Sequence, residues 1–127
     1  MKRKLLSKCY CTALNVLDKH CQPYKHYSFV VQKNRIVGYG INNNGPANIT
    51  LGYPSYSKIH SEVDAYFKNK AFIDIQFPFE IVNIRMMKNG RLRDSNPCPC
   101  CFGFLSSLNC NRIWFSTNIG VFGSIET

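Results

Sequence analysis

The chain contains no hydrophobic run of the length a membrane-spanning helix needs, about 20 apolar residues, and no internal repeat or low-complexity tract. No secretory leader is expected either. Met1-Lys2-Arg3-Lys4 is basic as a leader would be, but Lys8 interrupts the apolar stretch that follows. Acidic residues are scarce, with 7 Asp and Glu against 16 Lys and Arg, so the formal net charge is +9. Such a balance favours a polyanionic partner or a phosphorylated substrate, although a basic surface also serves solubility alone. The charge is concentrated at Lys2, Arg3, Lys4 and Lys8, and again at Arg85, Lys88, Arg91 and Arg93. Cysteine, in contrast, is plentiful. Seven are present, an odd number, and three of them cluster at Cys98, Cys100 and Cys101. That pattern argues against a secreted disulfide framework and for a reducing, intracellular setting with free or metal-bound thiols. The 127 residues suffice for one domain with a real core, covering 1–127, and not for two.

Hydrophobic periodicity predicts an amphipathic helix over Lys4–Lys19, with Leu5, Leu6, Cys9, Ala13, Val16 and Leu17 near one face. Asp18 to His26 reads as a loop. Tyr27–Val31 and Arg35–Ile41 read as a hairpin around Lys33-Asn34. Gly38 and Gly40 would admit a backbone or a ligand at close range. A long loop runs from Asn42 to Lys58, and its Tyr53 and Tyr56 could stack bases or pack against the core. A second helix spans Ser61–Phe72. Phe79–Met87 is an apolar strand, and Arg91–Asn96 leads to the cysteines. A third helix covers Cys100–Leu108. Ile113–Ser116 and Val121–Ile125 are further strands, the last expected to return as an antiparallel hairpin. The order α-β-β-α-β-α-β-β implies a mixed sheet of about five strands with helices on both faces, a three-layer α/β/α architecture.

Two short stretches carry the chemistry: His60-Ser61-Glu62 and Pro97-Cys98-Pro99-Cys100-Cys101. Zinc binds thiolate and neutral imidazole, and a catalytic zinc keeps three protein ligands with one position open for water. His60, Cys98 and Cys101 would supply that set. Cysteines three apart on a first helical turn share a face, so both sulfurs can reach one ion, while Cys100 points elsewhere. Pro97 and Pro99 suit the start of a helix, whose positive end favours thiolate. Glu62 would then be a proton carrier and not a ligand. Read separately, the pieces are ordinary. Glu62 could simply favour a helix N-terminus, and C-x-x-C could be a redox pair or half of a structural zinc site completed by Cys100, Cys110 or Cys21.

Taken together, the residues fit H-x-E…P-C-x-x-C, the signature of zinc nucleobase deaminases, and the chain resembles the cytidine/deoxycytidylate deaminase superfamily. The resemblance implies a cytidine-deaminase-like fold and a Zn2+ cofactor held by His60, Cys98 and Cys101, with Glu62 as the catalytic acid and base. It implies a zinc-dependent cytidine/deoxycytidylate-type hydrolase that converts cytosine to uracil. The substrate would be a cytidine- or dCMP-type nucleotide or single-stranded DNA or RNA. Gly40-Ile41-Asn42 looks like the family's G-x-N, which makes Asn42 a substrate contact, although a turn asparagine would look the same. The Ile113–Thr117 run resembles the strand that walls the base pocket, so Trp114 or Phe115 is a candidate. Alternation allows at most one of them to face the site. The tRNA adenosine deaminases share both motifs and form one alternative. A catalytically silent, zinc-stabilised nucleic-acid-binding domain is another. No membrane partner is expected.

Overall fold

The computed structural model describes residues 2–16, 25–42 and 60–127. Helix α1 (Lys2–Asn15) precedes strands β1 (Lys25–Gln32) and β2 (Arg35–Ile41). Helix α2 (Ser61–Asn69) runs into a 3-10 turn (Lys70–Phe72). Strands β3 (Phe79–Met86) and β4 (Leu92–Arg93), helix α3 (Pro99–Ser106) and strands β5 (Cys110–Ser116) and β6 (Phe122–Glu126) complete the described fold. The strands form one mixed sheet in the order β2-β1-β3-β5-β6, with β4 paired to β3. Among the described strands only β3 and β5 pair in parallel, and α3 supplies the crossover that such a pair requires. The final strand returns antiparallel to β5, as expected. Lys33 and Asn34 both adopt positive φ, 53° and 60°, giving the tight two-residue connection whose twist matches that of the flanking strands.

Strand alternation sorts the core into two layers. Tyr27, Phe29, Val82, Ile84 and Met86 pack under α1 against Leu5, Cys9 and Ala13. Val30, Ile81 and Ile113 face the other way, towards Ala65 of α2 and Leu105 of α3. Each fully buried large side chain contributes about 1.5–3 kcal/mol. The sheet lies between helices on both faces, and this three-layer α/β/α arrangement agrees with the sequence expectation.

The differences are local. The first strand begins at Lys25, ahead of the expected Tyr27. The third helix starts on Pro99, where its fixed φ and missing N–H are tolerated. The approach to the cysteines contains the two-residue strand β4, with Arg93 opposite Arg85 and Leu92 opposite Met86. The first helix ends at Asn15, with Val16 in a turn, short of the expected Lys19. The Asn42–Lys58 loop with Tyr53 and Tyr56 falls outside the described residues apart from Asn42 itself.

Candidate metal centre

Strands β2, β3 and β5 run in one direction, and α2 and α3 both start at the end of the sheet where those strands finish. His60 is the N-cap residue of α2 and Cys98 that of α3, each with extended backbone. The two helix starts thus face one another over the sheet edge. His60 Nδ1 lies 3.6 Å from Cys98 Sγ and 3.3 Å from Cys101 Sγ. One donor atom from each of the three residues falls within a sphere of mutual distances no greater than 4.8 Å. Such a cluster could hold a metal ion. Cys101 is fully buried, whereas Cys98 and His60 are half-buried. The Cys101 backbone N–H donates to Cys98 Sγ at 3.3 Å, which stabilises negative charge on that sulfur along with the positive helix end.

The donor set is selective. Two soft sulfurs and one imidazole suit zinc and disfavour magnesium or calcium, which take oxygen. Among the described residues no fourth His, Cys, Asp or Glu joins the three. Cys100 is exposed and outside the cluster, and Cys110 is buried beneath α3 on β5. Burial pushes the Cys110 thiol up to about 12, against the smaller opposing effect of its backbone hydrogen bonds, and it does the same to Cys9 on the inner face of α1. Both are packed protonated thiols and poor ligands. Cys21 lies outside the described residues.

Glu62, two residues after the histidine, is 7% exposed. Its Oε1 accepts from Ser61 Oγ at 3.2 Å. Ser61 Oγ is also 2.7 Å from Ser28 Oγ, and Ser28 donates to Asn83 Oδ1 at 2.7 Å. Ser95 continues the chain, its Oγ donating to the Asn83 carbonyl at 2.9 Å and lying 2.9 Å from Ser116 Oγ. The Ser95 backbone N–H donates to the Ser116 carbonyl at 3.0 Å. These bonds fasten the start of α2 to β1 and β3, and the segment before Cys98 to the ends of β3 and β5. The two halves of the metal cluster are therefore aligned through one buried polar row. Sequence reading missed this row. Its signal was available: Ser28 and Asn83 share the strand face of Val30 and Ile81, and buried polar groups need partners.

Asp64, in the first turn of α2, is a second buried carboxylate. Only 5% exposed, its Oδ2 accepts from the Ile41 N–H at 2.9 Å and pairs with Lys68 Nζ at 2.9 Å. It ties α2 to the end of β2. The close approach expected at Gly40 is made by α2: a Cβ there would lie 2.6 Å from Ala65 Cα.

The expected substrate contacts separate. Asn42 follows β2 at the same end of the sheet as the metal cluster, where its Oδ1 accepts from the His26 N–H at 3.0 Å. Phe115 sits opposite Asn83 on β5 and shares the face of Ile113, the α2/α3 side, with its ring over Gly123. Trp114 is on the other side, packed with the α1 layer opposite Val82, and its Nε1 donates to Glu80 Oε1 at 2.8 Å. The fold does not bring Trp114 to the cluster. No helix among the described residues is long and apolar enough to cross a membrane. Neither the models of known protein families nor the curated proteins contain a match to this chain.

Proposed function

We propose that the protein is a zinc-dependent hydrolytic deaminase that converts cytosine to uracil, in a cytidine- or dCMP-type nucleotide or in single-stranded nucleic acid. The supporting observation is the pairing of a three-donor cluster with a buried carboxylate two residues from its histidine. A structural zinc site would complete four protein ligands and has no use for Glu62. When bound, zinc lowers the pKa of a coordinated water to about 7. His60, Cys98 and Cys101 would hold the ion. Glu62 takes a proton from the attacking water and delivers it to ring N3, then assists proton transfer to the departing amine. The water oxygen ends on C4, the C4–N bond breaks, and ammonia leaves. Ser61, donating to Glu62, keeps the carboxylate oriented. Asn42 and Phe115, at the same end and on the same face respectively, are the candidate contacts for sugar and base. The thiols must stay reduced for this chemistry, which implies a reducing, intracellular compartment.

The test is incubation of zinc-loaded protein with dCMP, cytidine, a single-stranded cytosine oligonucleotide and an adenosine-containing RNA hairpin, scored for uracil and inosine. Uracil from any cytosine substrate is the expected result. Inosine alone would transfer the assignment to adenine. No product from any substrate, at full zinc occupancy, would remove the enzymatic reading.

A further inference from the structure

On the sheet face away from the metal cluster, α1, the turn before β4 and the β5–β6 hairpin border an open cleft of about 790 Å3. Small-molecule sites fall at about 300–1,000 Å3. Trp114, Tyr10 and Phe122 give it an apolar wall, and Lys2, Arg3 and Arg91 give it charge, with no carboxylate in the lining. Two features indicate a built site. First, the indole is held in place. Glu80 accepts from Trp114 Nε1 at 2.8 Å and from Lys2 Nζ at 2.7 Å, and Lys2 Nζ stands 5.6 Å from the ring centroid. At the far end, the Tyr10 hydroxyl donates to the Gly90 carbonyl at 2.7 Å, joining α1 to the turn that carries Arg91. Second, α1 breaks a local rule. Its first turn has no acidic residue and begins Lys-Arg-Lys, placing cations at the positive end of the helix dipole. A bound anion relieves that repulsion, and such local conflicts concentrate at functional sites.

We propose that this cleft binds a free nucleoside di- or triphosphate, with the base against Trp114 and the phosphates on Arg3, Arg91 and the start of α1. Lys2 is partly neutralised by Glu80, so Arg3 and Arg91 carry most of the phosphate recognition. With one indole as its stacking surface, a cleft of this volume fits one nucleotide. A nucleic-acid strand calls for successive stacking platforms. The site is separate from the proposed deamination centre and does not depend on it.

Trp114 is the only tryptophan, so its emission, excited at 295 nm, reports on this cleft alone. We expect ATP to produce a saturable change in that emission. Arg91→Ala and Arg3→Ala should each weaken binding about tenfold, the loss of one charge-assisted contact. Arg91 is exposed, and its backbone N–H bond to Asn89 survives the substitution, so folding is not at issue. The melting temperature of each variant checks this directly. Three results would overturn the proposal: no saturable response to ATP at millimolar concentration; a response unchanged in both arginine variants; or a response to oligothymidylate or dodecanoate in place of ATP.

Discussion

Replacement of Gly40 by alanine tests how the site is held. A Cβ at this position would lie 2.6 Å from Ala65 Cα and 2.7 Å from the Asp64 carbonyl carbon, and closer still to the Ala65 nitrogen. Carbon atoms in contact prefer about 3.5–4.0 Å, so α2 must retreat by about 1 Å. Both partners are backbone, so no rotamer change can absorb the clash. Overpacking costs about 1–3 kcal/mol, and the rigidity here places the effect near the upper end. The retreat also stretches the Asp64–Ile41 bond of 2.9 Å and the Ser61–Ser28 contact of 2.7 Å, and it carries His60 away from the sulfurs. A loss of about 3 kcal/mol lowers the melting temperature of a chain this size by about 10 °C. Thermal unfolding by circular dichroism and chelator competition for zinc would measure both consequences. Gly103→Ala is the control: nothing lies within 4 Å of a Cβ there, and α3 gains about 0.5–1 kcal/mol of helix propensity. A Gly40→Ala protein that melts within about 2 °C of the parent, with zinc affinity intact, would refute the packing of α2 on β2.

On the proposed deaminase reading, Glu62→Ala should keep zinc and fold while abolishing uracil formation, and uracil formation close to that of the parent protein would remove the carboxylate from the proposed mechanism. Cys9 and Cys110 titrate at about 12 in the folded chain because burial disfavours their thiolates, against 9.0 for an ordinary thiol. Unfolding therefore releases protons between pH 9 and 12. Stability is fully present below 9 and falls by up to about 1.4 kcal/mol per pH unit per thiol above it. Denaturant titrations across that window should show the decline, with a shallower slope in Cys9→Ala. At pH 8, iodoacetamide followed by peptide mass mapping should label the exposed Cys11 and Cys100 and spare Cys9 and Cys110. Rapid labelling of either buried thiol would contradict the packing.

The main elements were legible because their patterns are local. Alternation in Tyr27–Val31 and Phe79–Met87, the Lys33-Asn34 turn, and proline before the cysteine helix each specify backbone without reference to distant residues. The His60, Cys98 and Cys101 cluster was legible for a different reason: metal-ligand chemistry restricts the donor types and their spacing so tightly that distance in sequence matters little. What escaped depends on register. Leu92–Arg93 is a strand only because β3 extends past β5 and offers it a partner. Alternation showed that Trp114 and Phe115 point opposite ways, but only the pairing of Val82 with Trp114 and Asn83 with Phe115 decides which faces α1. The role of Asp64 depends on where β2 ends, because its Oδ2 accepts from the Ile41 N–H.

The metal centre is tested most directly by elemental analysis combined with X-ray absorption at the metal edge, on protein purified without chelators. One zinc per chain is the predicted result, with two sulfur neighbours, one imidazole nitrogen and one further light atom. His60→Ala and Cys101→Ser should each remove it. Absence of stoichiometric metal, or a shell of three or four sulfurs, would contradict the account.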